Sequence, residues 1–225
     1  MARQIIGVGA VANDGTGDPE RSAWIKANAN FAELYADLLA SHPHYLSGNW
    51  YNPYPNAAVA AGNNGAGFLN LEPFAVMEPI TISALGIRVA TLSAGGLVMA
   101  GIYAHSYTTG QPTGNVLASV VGLSTSAATT VSAALGANVM LPAALYWRAV
   151  QPDNGTAALQ AIAATQSNTG ALVGSTSLAN VSSGTTNARI TRAVANTYGT
   201  FPDLTGVSAA EGTAASGGIV YIRIA

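Results

Sequence analysis

The sequence contains few residues of the types that catalysis requires. Three of the 225 residues are histidine, ten are acidic and none is cysteine, which excludes thiolate catalysis, disulfides and cysteine zinc sites. A glycosidase needs two carboxylates that face one cleft, and Asp203 and Glu211 could meet across one loop. A small polysaccharide depolymerase that uses this pair is therefore one of the alternatives that we weigh.

Other catalytic motifs are incomplete. The chain has no Gly-x-Ser-x-Gly, which a hydrolase with a nucleophile elbow would carry, and His105 is interpreted as a structural histidine at the end of a predicted strand. Gly7-Val8-Gly9 lies close to Asp14 and Asp18, which place negative charge where a phosphate would bind. We therefore expect no enzymatic activity and no cofactor.

His42 and His44 have the one spacing that is typical of metal ligands. Pro43 makes this segment extended, which points both imidazoles to the same side. One chain supplies two imidazoles, but three chains that meet on an axis would supply six, enough for octahedral coordination of a transition metal. A solvated turn explains the same residues without an ion. We therefore expect no metal site and keep His42 and His44 as the candidates.

The charge composition excludes several classes of partner. Only 8% of the residues are charged, against about a quarter in an ordinary soluble domain. The net charge of −2 leaves no basic field for nucleic acid. Residues 89–147 contain no Asp, Glu, Lys or Arg, yet polar residues keep every apolar stretch below the roughly 20 residues of a spanning helix. The apolar run at residues 5–11 is broken by two glycines, so we expect neither a signal peptide nor membrane insertion.

One helix near the start of the chain is well specified. Asp18 can accept hydrogen bonds from the first turn, Pro19 fits the first helical position, and Glu20 complements the positive end of the helix dipole. Pro43 predicts that the helix ends near Ala40. Apolar residues at alternating steps of three and four form one narrow stripe: Trp24, Ala27, Phe31, Leu34 and Leu38. Such a stripe packs on the rest of the chain, pairs with copies of itself or docks on another protein.

The composition divides the chain into three parts. Residues 1–41 contain eight of the eighteen charged residues and form the predicted loop and helix. Residues 42–66 are rich in Pro, Asn and Gly turns and are predicted to be an extended linker. In residues 67–225, short β-type runs alternate with turn residues about every ten positions, which is typical of an all-β sandwich or barrel. We expect a mainly β protein with an antiparallel sandwich in its last part.

Nine strands are predicted in this last part. Residues 97–103 are apolar on both faces, which predicts a strand covered on both sides, whereas residues 220–224 alternate and predict a half-exposed strand. Residues 126–137 are ambiguous between strand and helix. The predicted strands are 74–76, 80–92, 96–107, 116–123, 130–135, 144–150, 159–163, 190–192 and 219–224.

The aromatic residues indicate a binding role for the β region. An exposed Tyr or Trp among Ser, Thr and Asn offers a stacking surface for sugar rings, and an uncharged glycan needs no strong electrostatic field. Tyr103, Tyr107 and Tyr198 are the candidate glycan-binding residues. Burial in the core or between copies of the chain would account for the same residues.

The segment from Val11 to Tyr35 resembles the attachment motif near the N-terminus of many tailed-phage fibre, spike and baseplate proteins. That motif reads Asn-Asp-Gly-Thr-Gly-Asp, then Arg, Lys and two spaced Asn, and ends in Asn-Phe-x-Glu-Leu-Tyr. Trp24 stands where the family more commonly has Phe. The matching residues are Asn13, Asp14, Gly15, Thr16, Gly17, Asp18, Arg21, Lys26, Asn28, Asn30, Phe31, Glu33, Leu34 and Tyr35.

The β region is similar, more loosely, to the β-sandwich modules that end such fibres. The similarity rests on Gly101-Ile102-Tyr103, a Gly-x-Pro-x-Gly-x-x-Leu loop at residues 110–117, a Leu-Pro-Ala-x-x-Tyr-Trp strand at residues 141–147, and Phe201-Pro202. The resemblance implies a virion protein that is assembled in the bacterial cytoplasm and exposed on the particle surface. It implies a jelly-roll-like module, displayed outward behind an anchoring loop and helix.

These observations lead to one expected function and two alternatives. We expect a homotrimeric fibre or spike subunit, anchored to the tail, baseplate, neck or capsid, that binds host polysaccharide. The first alternative is a decoration or adaptor protein that binds only other virion proteins, and the second is the depolymerase. The expected attachment and trimer residues are Asn13, Asp14, Asp18, Arg21, Trp24, Lys26, Asn30, Phe31, Leu34, Tyr35 and Leu38.

Overall fold

The computed structural model describes residues 5–7, 15–41, 45–52, 59–63, 65–162, 173, 191–212 and 218–225. The chain separates into two compact units, residues 1–44 and residues 45–225. No helix in the described ranges is both long and apolar enough to cross a membrane.

The first unit contains the predicted helix. Helix α1 spans Glu20–Ser41 and has Glu20 in its first turn, where a carboxylate is favoured by the helix dipole. The amide of Ala23 donates to the carbonyl of Pro19 at 3.0 Å, so the helical bonding begins at the proline. The predicted helix is confirmed.

The described residues of the second unit form twelve β-strands. Their order and lengths confirm that the protein is mainly β and antiparallel, and the sheets curl into a half-barrel. The strands are β1 (Trp50–Tyr51), β2 (Val59–Asn63), β3 (Phe68–Val76), β4 (Ile80–Thr91), β5 (Leu97–Ser106), β6 (Gln111–Ser124), β7 (Thr130–Leu141), β8 (Ala144–Pro152), β9 (Ala158–Ile162), β10 (Thr191–Ala195), β11 (Ala210–Gly212) and β12 (Tyr221–Ile224).

The strands form two sheets of six. The first sheet has the order β1-β12-β4-β9-β2, with β7 also paired to β4, and the second has the order β11-β10-β3-β8-β5-β6. The first core cluster draws on both sheets, for example Ile82 and Ile222 from one and Phe74 and Ile102 from the other. A second core cluster, around Trp147, contains only residues of the second sheet and of the chain that packs on it.

Two short strands lie within residues 42–66, which the sequence predicts as a linker. Strand β1 pairs with β12, and β2 pairs with β9. The residues just before β1 form hydrogen bonds with a residue that is far away in the sequence. The amide of Gly48 donates to the carbonyl of Ile224, and the amide of Ile224 donates to the carbonyl of Asn49, both at 3.0 Å. The partners lie at the far end of the sequence, so local turn chemistry gives no sign of this pairing.

Arg148 takes part in a buried ion pair within the second sheet and also links that sheet to the first. Glu72 and Arg148 lie directly opposite each other on β3 and β8, and their side chains form an ion pair that is almost fully buried. The Nη1 of Arg148 also donates to the carbonyl of Gly218 at 2.9 Å. Because Gly218 forms a bridge to Ala161 of β9, Arg148 links the second sheet to the first.

Candidate functional site

The start of the first unit is braced by one carboxylate. The Oδ2 of Asp18 accepts hydrogen bonds from the Nζ of Lys26 at 2.6 Å and from the amide of Gly7 at 2.8 Å. Lys26 also donates to the carbonyl of Ile5 at 3.3 Å. The hydrogen bond from Lys26, and then that from Gly7, hold the pKa of Asp18 below its usual value.

This brace corrects the predicted role of Asp18 as the helix cap. The carboxylate of Asp18 bonds to Gly7 and Lys26 and not to the amides of the first helical turn. The amide of Asp18 donates to the carbonyl of Gly7 at 2.9 Å, so two hydrogen bonds join these residues. Asp18 therefore fixes the incoming chain against the helix instead of capping it.

The apolar stripe of α1 is exposed. Trp24, Phe31 and Leu34 are 62%, 58% and 51% exposed, and Ile25 next to Trp24 is also exposed. Among the other expected attachment residues, Arg21 is exposed, and Lys26 and Asn30 are half-buried. Asn13, Asp14 and the side chains of Tyr35 and Leu38 lie outside the described residues. The described part of the stripe is thus available to a partner.

Tyr103 is not a surface residue, which corrects its assignment to glycan binding. Its ring is fully buried in the second core, and its hydroxyl donates to the carbonyl of Pro202 at 2.8 Å. The ring of Phe201 covers it, with the two ring centres 6.3 Å apart. A β-carbon on Gly101 would lie 2.8 Å from the Cε1 of Phe201, so only glycine admits this ring. A residue covered in this way has no face for a sugar.

Tyr198 is half-buried against the same core. Its hydroxyl accepts a hydrogen bond from the amide of Gly122 at 3.2 Å, and burial raises the pKa of this hydroxyl. The hydrogen bond fastens the segment after β10 to the end of β6. A glycan could reach only part of its ring.

Tyr107 is the one glycan candidate with an open ring. It is 72% exposed and lies edge-on to His105, with the ring centres 4.8 Å apart. Its hydroxyl accepts a hydrogen bond from the amide of Leu145 at 3.0 Å, which holds the ring in place. His105 in turn accepts a hydrogen bond at Nδ1 from the Nε1 of the buried Trp147, at 3.0 Å. A fixed aromatic ring of this kind suits stacking against a sugar.

A cavity whose described lining residues carry no charge lies beside the β5–β6 hairpin. It has a volume of about 430 Å³ and lies between the β5–β6 turn and residues 204–208. The Oε1 of Gln111, which lines it, is buried with no hydrogen-bond partner in the described chain. The polar lining side chains are uncharged: Ser106, Thr109, Gln111, Thr113 and Ser208. A small polyol fits such a lining because hydroxyls both donate and accept hydrogen bonds.

Of the acidic and metal candidates, Asp203 is the one whose side chain lies within the described residues. The Oδ1 of Asp203 accepts hydrogen bonds from the amide and hydroxyl of Thr205, at 2.9 and 2.7 Å, and these two bonds lower the pKa of Asp203, which makes it a poor general acid. The side chain of Glu211 is outside the described residues, as are His42 and His44. Within the described ranges, no group of three or more His, Asp or Glu residues could hold a metal ion.

The environment of His105 predicts a pH-dependent stability. Burial lowers the pKa of His105 below its ordinary value of 6.5, so the unfolded chain takes up this proton first as the pH falls. Stability from His105 is therefore present above about pH 6.5 and is lost as the pH falls through the lower, folded-state pKa. We expect the unfolding free energy of the parent chain to decrease more than that of His105→Gln between pH 7 and 5. Parallel pH profiles in urea unfolding would contradict this expectation.

The stripe of α1 in the first unit and the surroundings of Tyr107 in the second are thus both open to partners. The chain matches no protein-family model and no curated protein.

Proposed function

We propose that this protein is a virion structural protein, a phage fibre or spike subunit that attaches through its first unit and binds host-surface glycan through its second. The observation that carries the proposal is the exposed stripe of α1: three large apolar side chains, each more than half exposed, on a helix braced by Asp18 and Lys26. Exposed apolar side chains in contiguous patches mark interaction sites. The attachment motif of residues 11–35 coincides with this helix and its brace.

We propose further that the stripe pairs with copies of itself in a homotrimer. A closed ring of identical subunits buries the same face of each, and burying one large apolar side chain contributes about 1.5–3 kcal/mol. Burial between chains would also account for a chain in which 8% of the residues are charged. The tail, baseplate, neck or capsid is the virion partner that receives this end of the protein.

The second unit supports the finer fold that we propose, a jelly-roll-like sandwich. Its first core is drawn from both sheets, as in a two-layer sandwich. The sequence segments that resemble fibre modules also meet in space: Tyr103 pairs with Trp147 across β5 and β8, and it donates to Pro202. The amide of Leu204 donates to the carbonyl of Gly114 at 2.9 Å. These segments build the second core, which leaves the outer loops for ligand.

The trimer is tested by the mass of the full chain in solution. We expect a particle of three times the 22.6 kDa chain mass by light scattering, and a smaller one for Trp24→Ala/Phe31→Ala. Removing two apolar contacts per chain weakens assembly by about 3–6 kcal/mol, at least about a hundredfold in the association constant. Circular dichroism should show an unchanged β signal in the double variant.

Two exposed methionines of the second unit provide the control. Met77 and Met140 are 53% and 67% exposed, and Met77→Ala/Met140→Ala should keep the parent mass. The proposed trimer seam would be overturned if the parent chain were a monomer, or if Trp24→Ala/Phe31→Ala kept the parent mass. Assembly with no binding of the trimer to host cells would favour the adaptor function over glycan binding.

A further inference from the structure

The outward face of the first sheet carries a groove. It has a volume of about 460 Å³ and lies on the second unit, on the other sheet from Tyr107. Both aromatic and polar side chains contribute to it. Its lining includes Trp50, Gly86, Arg88, Ser132, Gln160 and Tyr221.

Strand register brings these residues to one face. Tyr221 lies opposite Gly86 in the β12–β4 pair, and Gly86 lies opposite Ser132 in the β4–β7 pair. Directly opposed residues of an antiparallel pair point to the same side of the sheet. A β-carbon on Gly86 would lie 3.2 Å from the Cζ3 of Trp50, so the missing side chain lets the indole lie against β4. Trp50 is still 43% exposed.

The groove is positively charged. Arg88 is exposed and has no ion-pair or hydrogen-bond partner among the described residues. Arg223, opposite Trp50 in the β1–β12 pair, is also exposed and donates from Nε to the carbonyl of Gly48 at 3.2 Å. The other arginines described in residues 45–225, Arg148 and Arg192, are buried. None of the described residues that line the groove is acidic.

The polar side chains of the groove are partly committed. The hydroxyl of Tyr221 donates to the Oε1 of Gln160 at 2.7 Å, which fixes the orientation of the Gln160 amide. The amide nitrogen of Gln160 then has hydrogens for another acceptor. Ser132 adds a hydroxyl on the same face. Together these groups supply donors for ring hydroxyls next to the guanidinium of Arg88.

We infer that this groove binds an acidic polysaccharide whose repeating unit carries a carboxylate. The indole of Trp50 offers an apolar face for a sugar ring, Arg88 pairs with the carboxylate in a charge-assisted hydrogen bond, and Gln160 and Ser132 bind hydroxyls. This inference rests on the proposed glycan-binding function and names its ligand class. It also replaces the uncharged glycan that the low overall charge suggested.

The inference is tested on the full chain with immobilised polysaccharides. The acidic probes are alginate, polygalacturonate, hyaluronan and polysialic acid, and the neutral probes are dextran, mannan and methyl-esterified polygalacturonate. We expect binding to at least one acidic polymer and at least tenfold weaker binding to the neutral ones. Raising NaCl from 0.05 to 0.5 M should weaken the binding, because salt screens exposed charge pairs over about 10 Å or less.

Variants locate the site. Arg88→Gln should lower the affinity about tenfold or more because it removes the charge-assisted hydrogen bond to the carboxylate. Trp50→Ala should lower it by about the same factor because it removes the apolar face for the sugar ring. Met77→Glu changes the net charge by the same amount outside the groove, and Phe68→Ala removes an exposed aromatic ring from the other sheet. Both should bind like the parent. An unfolded variant would also lose binding, so circular dichroism checks that each variant is folded.

The outcomes separate this inference from the function on which it rests. Binding to neutral polymers alone, or acidic binding that survives both groove variants, overturns the acidic-glycan groove and leaves glycan binding standing. Binding to none of the seven polymers overturns the groove as well, and the host-cell and mass measurements then decide the proposed function separately.

Discussion

Arg148→Met is expected to destabilise the second unit by about 3–5 kcal/mol, because it removes the guanidinium that pairs with the buried carboxylate of Glu72. The side chains of Arg148 and Glu72 are 2% and 1% exposed, so water cannot take the place of the lost partner. The variant also leaves the carbonyl of Gly218 without the Nη1 donor. Urea unfolding of the full chain at one fixed protein concentration measures the loss.

The double variant separates a lost ion pair from lost packing. Glu72→Leu/Arg148→Met removes both charges, so it should recover most of the stability. A deficit of about 1–3 kcal/mol should remain because the carbonyl of Gly218 stays unsatisfied. Arg88 is exposed and has no ion-pair partner among the described residues, so Arg88→Met is the matched control and should change stability by less than about 0.5 kcal/mol. A double variant less stable than Arg148→Met would contradict the isolated-charge explanation.

Trp147→Ala should cost about 3–5 kcal/mol, the usual range for a fully buried tryptophan. Trp147 is fully buried at the centre of the second core. It lies opposite both Pro73 of β3 and Tyr103 of β5, so its removal opens a cavity between three strands. Chemical unfolding followed by circular dichroism measures the change without relying on tryptophan fluorescence.

Trp147→Phe is the control for packing. It keeps most of the ring volume but removes the Nε1 donor to His105, a hydrogen bond that contributes about 0.5–1.5 kcal/mol. We expect less than half of the loss seen for alanine. Equal losses in the two variants would show that the hydrogen bond, and not the buried ring, determines the stability at this position.

The two cores explain how a chain with few charges can keep an open ligand surface. Arg148 links β8 to the segment before β12, and β12 carries Tyr221 of the groove. The packing around Trp147 in turn supports His105 and the exposed Tyr107. Each candidate glycan surface therefore lies on or directly beside a strand that a buried interaction holds in place, which preorganises it for binding.

Local patterns in the sequence determined the elements that depend on near neighbours. Pro19, Glu20 and the spacing of Trp24, Phe31 and Leu34 predict a helix, and α1 spans Glu20–Ser41. The apolar run at residues 97–103 predicts a strand buried on both faces, and β5 is buried in this way. The alternation at residues 220–224 likewise predicts the outward Tyr221 and Arg223 of β12. Helix stripes and strand alternation extend over a few residues, so the sequence displays them directly.

Tertiary structure alone decided which of these elements meet. Trp50 lies in a segment that is rich in turn residues, and it reaches the groove only because β1 pairs with β12, more than 170 residues later in the chain. The sequence predicts Tyr103 to be a ligand-binding tyrosine, but Phe201 and Pro202, which are far from it in sequence, cover it. Pairing and burial depend on contacts between residues far apart in sequence, and no local pattern encodes them.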